Sequence, residues 1–400
     1  MPANLRPHSN LSLSTSEQPM LYLALELGWD GWKLAFSTGP GIAPRRRDVL
    51  ARDVPGLMQE IAEAKRRLRL PADCPVVSCY EAGRDGFWLH RCLLAHGVQN
   101  LVVDSSSIEV NRRQRRAKSD RLDVEKLLSM LLRYVGGEPK LWSVVQVPTS
   151  AEEDARQLHR ELLTLQSQAT GQTNRIKGLL ASCGLAIEID RHFPKKLKEL
   201  RQWDGTPLPE ALRQRLLREF ERLQVANRQA RQLEQQRAKE VREQDSPAVE
   251  QTRKLLGLKG IGIRSSWLYV HEFFAWRKFK NRKQVGSLAG LAPTPYASGQ
   301  TDHEQGISKA GNKRMRWMAV EIAWGWLHFQ PESELSRWFY ARFGRGSSRQ
   351  RRIGIVALAR KLLVQLWRYL ETGVPPAGAE LSDWRTKAKV TTPSLKAGGC

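Results

Sequence analysis

The sequence predicts an α/β plus α chain: a mixed α/β N-terminal part, a central pair of long helices, and a mainly helical C-terminal part. Three observations carry this. Short apolar runs alternate with helix-patterned segments over residues 20–142. Apolar residues step by four and three over residues 150–245. A basic, Trp-rich, helix-patterned stretch fills residues 246–378. The flanking stretches, 1–19 and 379–400, are rich in Pro, Ser, Gly and polar residues and read as disordered tails.

In the first part, Leu21–Leu27 and Trp32–Ser37 are strand-like runs joined by the turn Gly28-Trp29-Asp30-Gly31. A third strand is expected over Arg47–Val54, then a helix over Leu57–Leu70 stopped by Pro71. A strand over Pro75–Tyr80, a helix over Gly86–His96 closed by Gly97, and a strand over Leu101–Asp104 follow. A helix over Asp120–Tyr134 ends at Gly136-Gly137. The order β-β-β-α-β-α-β-α, led by a hairpin, is that of a ribonuclease-H-like fold, and generic α/β domains share much of it.

In the second part, Leu158, Leu162, Leu165, Ala169, Gln172, Ile176 and Leu179 form one heptad seam. Leu212, Leu216, Glu219, Leu223, Ala226, Ala230, Leu233, Arg237 and Glu240 form another. A connector punctuated by Pro194, Gly205, Pro207 and Pro209 separates them. The pattern predicts an antiparallel coiled-coil hairpin or a dimerising coil. A structural spacer is the plain reading, and an arm tracking RNA or DNA is the other.

Lys and Arg number 65 against 41 Asp and Glu, a net charge of +24, which points to a polyanionic partner. An apolar content of 41% excludes wholesale disorder. The five cysteines include no C-x-x-C pair, which excludes a zinc ribbon or disulfide framework and fits a reducing cytosol. The eight histidines show no paired-ligand spacing. The N-terminus lacks the apolar core of a signal peptide, and no run reaches the roughly 18 apolar residues of a membrane span. No basic amphipathic anchor stands out, so a membrane partner is not expected.

Four constellations bear on chemistry. The first is acidic. Glu26 sits inside an apolar strand, where a carboxylate is costly unless paired or bound to a cation. Glu81 ends the fourth strand, and Asp120 and Asp123 open a helix on one face. Carboxylates converging from these positions suit one or two Mg²⁺ ions and phosphoryl transfer. The plainer alternatives are an N-capping Asp120, an Asp123 favouring the helix dipole, and a Glu81 paired with Arg84. The second is the basic run Arg112, Arg113, Arg115, Arg116 and Lys118, either a phosphate contact or a solvated face. The third is Gly257-Leu258-Lys259-Gly260-Ile261-Gly262. It is either a helix-hairpin-helix turn offering Lys259, Gly260 and Gly262 to a DNA phosphate or a turn between packed helices. The fourth places Ser298 in a loop between Pro295 and Gly299, ahead of Lys309, Asn312, Lys313 and Arg314 at the start of a helix. Arg342 to Lys361, including Arg351 and Arg352, holds seven basic residues and no acid, and reads as a nucleic-acid or a solvated face.

Several stretches together resemble the DEDD-type insertion-sequence transposases, the bridge-RNA-guided serine recombinases of bacterial mobile elements. They are Tyr80-Glu81-Ala82-Gly83, Lys118-Ser119-Asp120-x-x-Asp123, Gly290-Leu291-Ala292-Pro293 leading to Ser298-Gly299, Ile307-Ser308-Lys309-x-Gly311-Asn312, and Ala357-Leu358-Ala359-Arg360-Lys361. The resemblance runs from about Leu21 to Gly378. It implies a RuvC-like nuclease domain over 20–142, a coiled-coil spacer over 150–245, and a transposase domain with a catalytic serine over 246–378. The family's acidic tetrad maps to Glu26, Glu81, Asp120 and Asp123, holding Mg²⁺ or Mn²⁺, and its nucleophile to Ser298. This chain departs from the family in carrying Glu26 where most members have Asp; Asp30, four strand residues on, lies about 13 Å away and is a poor substitute.

The resemblance further implies double-stranded DNA and a structured guide RNA as partners, dimers that pair into tetramers, and a cytoplasmic, nucleoid-associated protein in a bacterium. The expected chemistry is attack of Ser298 on the scissile phosphate, reversed by a 3′-hydroxyl from another DNA. Two alternatives stand beside it: a metal-dependent nuclease of the Holliday-junction-resolvase type that uses water, and a catalytically inactive nucleic-acid-binding protein.

Overall fold

The computed structural model describes residues 19–108, 120–298 and 301–388. The chain divides after Pro148 into two compact units. The first holds β1 (Leu21–Leu27), β2 (Gly31–Ser37), β3 (Arg45–Leu50), α1 (Val54–Arg67), β4 (Val76–Glu81), α2 (Trp88–Ala95), β5 (Gln99–Val103) and α3 (Asp120–Val135). The sheet order is β3-β2-β1-β4-β5. β2 runs antiparallel to both β1 and β3, while β1, β4 and β5 run parallel.

Alternation of side chains sorts this sheet into two faces. Leu21, Leu23, Leu25, Trp32, Leu34 and Phe36 pack with Leu57 and Ile61 of α1 and Leu89 and Leu93 of α2. Ala24, Ala35, Val77 and Cys79 pack with Val124, Leu127 and Leu131 of α3. The element order matches the sequence reading, but several boundaries move by two to four residues, most clearly at the β3–α1 junction. β3 stops at Leu50 and α1 begins at Val54, where a strand to Val54 and a helix from Leu57 were expected. The Asp53 carboxylate accepts from the Gly56 N–H at 3.0 Å, and Pro55 in the first turn has no N–H to lose. That Asp-x-Pro signal sets the helix start.

The second unit is built from α4 (Ser150–Asp154), α5 (Gln157–Ala181), α6 (Phe193–Glu199), α7 (Glu210–Glu243), α8 (Pro247–Leu256) and α9 (Ile263–Tyr269), which runs on as a π-helical turn over Val270–Phe274. Then come α10 (Arg282–Leu288), β6 (Pro293–Ser298), β7 (Thr301–Ile307), α11 (Lys313–Phe329), α12 (Glu334–Phe343), α13 (Ser348–Thr372) and α14 (Trp384–Lys387). α5 and α7 pack antiparallel. Arg175 pairs with Glu219 near one end, and Leu158 and Glu161 share a groove with Leu233 and Gln236 near the other. The seam residues Leu162, Leu165, Ile176, Leu216, Leu223 and Ala226 are buried. So are two polar seam residues, Glu219 and Arg237, each only 4% exposed.

Two features of this unit depart from the sequence reading. A two-stranded antiparallel ribbon, β6–β7, stands in a stretch read as helix and loop. Pro293 and Pro295 argue against a strand, yet a two-stranded ribbon is all edge and tolerates them. Part of the expected tail is folded. Leu381 bridges to Leu258, and the Lys387 ammonium donates to the carbonyls of Leu256, Leu258 and Ile261 at 2.9, 2.7 and 3.3 Å. Those carbonyls lie at and just beyond the end of α8, where they lack helical partners. The remaining tail positions, 1–18 and 389–400, lie outside the described residues. Among the described residues no helix is long and apolar enough to cross a membrane. The main core gathers α9, α11 and α13 around Phe273, Trp326, Phe339 and Leu362.

Candidate functional site

The acidic positions share one side of the first sheet. In the parallel register Leu25 faces Tyr80, so the next rung sets Glu26 beside Glu81 at the C-terminal strand ends. Ala24 and Cys79, two residues back on each strand, face α3, and alternation puts Glu26 and Glu81 on that same face. On α3, which Asp120 opens, Asp123 lies one turn before Leu127, whose carbonyl lies 3.8 Å from Cys79 Sγ. The Asp120 side chain lies outside what is described. Among the described residues no three His, Cys, Asp or Glu side chains form a group able to hold a metal ion. Glu26 also faces Lys33 of β2 in register, and Lys33 Nζ stands 3.5 Å from Asp48 of β3. Arg84, the partner considered for Glu81, lies over Trp29 at 4.7 Å and 3.9 Å from Asp85.

Ser298 belongs to the second unit. It closes β6 and pairs in register with Thr301, so it sits at the tip of the ribbon rather than in a free loop. The base of the ribbon is tightly tied. Ser308 N–H donates to Ala292 O at 2.9 Å, Lys309 N–H to Gly290 O at 3.2 Å, and Asn312 N–H to Leu288 O at 2.9 Å. Gly290 and Gly311 take positive φ here, where a Cβ at either would strike backbone carbonyls of the opposite segment. Asn312 caps α11, its Oδ1 accepting from the N–H groups of Arg314 and Met315 at 3.0 and 3.2 Å.

Behind Asn312 lies a residue that the sequence reading missed. Glu272, 1% exposed on the π-helical turn, accepts from Asn312 Nδ2 at 3.3 Å and from Arg160 Nε and NH2 at 2.7 and 3.0 Å. Burial pushes its carboxyl up, but the Arg160 hydrogen bonds and charge, joined by Arg314, outweigh burial and hold it below the ordinary value. Burial holds the neighbouring His159 imidazole down at about 4, against the pull of Glu272. The available signal was the one used for Glu26: a lone carboxylate inside an apolar run, Trp267 to Trp276.

The expected nucleic-acid contacts fall into four groups. Arg112, Arg113, Arg115, Arg116 and Lys118 lie outside the described residues. In the α8–α9 turn, the Lys259 N–H donates to Glu380 O at 3.1 Å, its ammonium is 2.6 Å from the Glu380 carboxylate, and Gly260 packs on Phe329. Gly262 precedes α9 and holds Ser265. Lys309 and Lys313 are exposed beside the ribbon base, with Arg314 half-buried. Arg351 and Arg352 are exposed on the first turns of α13.

Comparison with known proteins adds the following. Residues 252–336 match the Transposase IS116/IS110/IS902 family. Over 395 residues, 94% of this chain and 98% of the relative, the chain is 40% identical to "Putative transposase y4rJ" of Sinorhizobium fredii. It is 27% identical over 231 residues, 56% of this chain and 66% of the relative, to "Probable family 20 transposase" of Pseudomonas aeruginosa. It is 26% identical over 133 residues, 32% of each chain, to "Insertion element IS110 uncharacterized 43.6 kDa protein" of Streptomyces coelicolor.

Proposed function

Because this chain belongs to the IS116/IS110/IS902 transposase family, and is therefore a DNA transposase of an insertion sequence, we propose that it cuts and rejoins DNA by serine attack at a carboxylate-held metal site. Ser298 is the nucleophile. The Ser298 Oγ–P bond forms as the P–O3′ bond breaks, and the serine proton ends on the departing 3′-oxygen. A 3′-hydroxyl from a second DNA then attacks the phosphoserine and returns the proton to Ser298. The bond count is unchanged, so no energy source is needed.

The observation that carries this reading is the single-sided row of acids. Glu26 and Glu81 are neighbours on adjacent parallel strands, and Asp120 and Asp123 start the helix packed on the same face. Carboxylate oxygens are the donors that Mg²⁺ or Mn²⁺ prefers, so the residues fit the group by chemistry. Glu26, Glu81, Asp120 and Asp123 would hold it. When bound, such a cation polarises the scissile phosphate and lowers the charge that the nucleophile meets. The sheet order β3-β2-β1-β4-β5, with an antiparallel hairpin leading parallel strands, supports a ribonuclease-H-like and RuvC-like first domain. The net charge of +24 supports double-stranded DNA and a structured guide RNA as partners. A dimer or tetramer, the assembly that the resemblance implies, completes the reading.

The test is a denaturing gel after incubation with Mg²⁺ and DNA carrying the element's own junction. The native protein should leave a covalent protein–DNA band, Ser298→Ala should leave none while still binding DNA, and Asp123→Ala should leave none either. Cleavage without any adduct would assign the chemistry to water and to the nuclease alternative.

A further inference from the structure

β6 and β7 form a two-stranded sheet, and backbone hydrogen bonds of Ser308, Lys309 and Asn312 tie its base to the preceding segment. An isolated pair of strands is marginally rigid. Five residue steps separate Pro293 at its base from Ser298 at its tip, about 17 Å at strand rise. A tilt of about 10° at the base therefore carries the tip about 3 Å, and roughly 1 Å of misplacement costs on the order of a hundredfold in rate. What sets that tilt is consequential.

The base is tied to Asn312. Its N–H donates to Leu288 O at the foot of β6, and its Oδ1 begins α11 at the foot of β7. Its side-chain nitrogen, Nδ2, reaches Glu272 at 3.3 Å. Glu272 is in turn clamped by two guanidinium nitrogens of Arg160, Nε and NH2, near the start of α5. It sits on a π-helical turn, a conformation that spaces a side chain off the regular helical face. A buried carboxylate is costly, and two separate segments supply its donors.

We infer that Glu272 is a positioning residue for strand cleavage: through Asn312 it fixes the direction of the ribbon that presents Ser298, and through Arg160 it ties that direction to α5. This rests on the serine reading above. It adds a specific hydrogen bond, Asn312 Nδ2–H to Glu272 Oε2, whose loss misdirects the nucleophile without unmaking the fold.

The experiment exchanges the polarity of that bond in the full-length protein. Asn312→Asp keeps the helix cap but sets a carboxylate against Glu272. Adding Glu272→Gln supplies an amide donor to the new carboxylate and restores the link in reverse. At saturating junction DNA, adduct formation should slow by about tenfold to a hundredfold in Asn312→Asp and recover most of its rate in the double variant. Amide hydrogen exchange over Thr301–Ile307 should quicken in the single variant and return in the double, a readout independent of cleavage. A native rate in Asn312→Asp, or a double variant no better than the single in both rate and exchange, overturns the inference. An adduct that survives Ser298→Ala overturns the serine reading itself, which the exchange measurement tells apart.

Discussion

His159 Nε2 stands 3.3 Å from Glu272 Oε1, both side chains nearly fully buried, yet the two do not form an ion pair. Burial keeps the imidazole neutral down to about 4, so it packs beside the carboxylate as an uncharged ring, and Arg160 supplies the counter-charge.

That arrangement makes the second unit sensitive to acid. His271, stacked on Trp267 at 4.0 Å, is also held down at about 4 by burial. In the unfolded chain both histidines titrate near 6.5. Between about 6.5 and 4 the unfolded chain binds protons that the folded one refuses, so stability is full above that window and falls as pH drops through it. Glu272, held below its ordinary value, acts in the same sense: its contribution is present above the unfolded carboxylate value and lost as pH falls through the folded one. Urea unfolding should lose roughly 2–3 kcal/mol per histidine between pH 7 and pH 4. His271→Phe should remove one histidine's share. A profile flat over this range would refute the assignment.

Glu219 separates stability from specificity in the α5–α7 pair. It is buried in the seam and accepts from Arg175 at 2.9 Å and Arg222 at 3.0 Å, both half-exposed. Glu219→Gln should cost about 1–3 kcal/mol, because a buried amide keeps the desolvation and loses the charge-assisted bonds. Glu219→Leu should be within about 1 kcal/mol of native or more stable, since an apolar residue completes the seam. Thermal unfolding of the two variants distinguishes them, and a larger loss for Leu than for Gln would contradict this account.

Two glycines with similar backbone angles should behave differently. Gly373, φ 75°, closes α13 into open space, and Gly373→Ala should cost about 1 kcal/mol of left-handed strain. Gly311, φ 83°, faces the Leu288 carbonyl at the ribbon base. Gly311→Ala should cost more than about 3 kcal/mol, because the obstacle is backbone and cannot turn aside. Urea midpoints for the pair measure the difference directly.

Local pattern was enough to order the first unit and to set Glu26 and Glu81 in strands and Asp120 and Asp123 at a helix start. Strand runs such as Leu21–Leu27, helix stops such as Pro71, and lone carboxylates in apolar strands are short-range features, and side-chain alternation carries them to a face of the sheet. The seam residues of α5 and α7 were legible for the same reason, since burial repeats with the helical period. What lay beyond the sequence depends on contacts between distant segments. Pro293 and Pro295 conceal a strand whose partner only the folded chain supplies. The tail from Leu381 to Lys387 is ordered by carbonyls more than a hundred residues earlier. Glu272 looks like an anomaly in an apolar run until folding brings Arg160 and Asn312 to it. Propensity and periodicity act along the chain and can be read there. The desolvation and pairing of a buried charge are decided in three dimensions, and that is where the direction of the Ser298 ribbon is set.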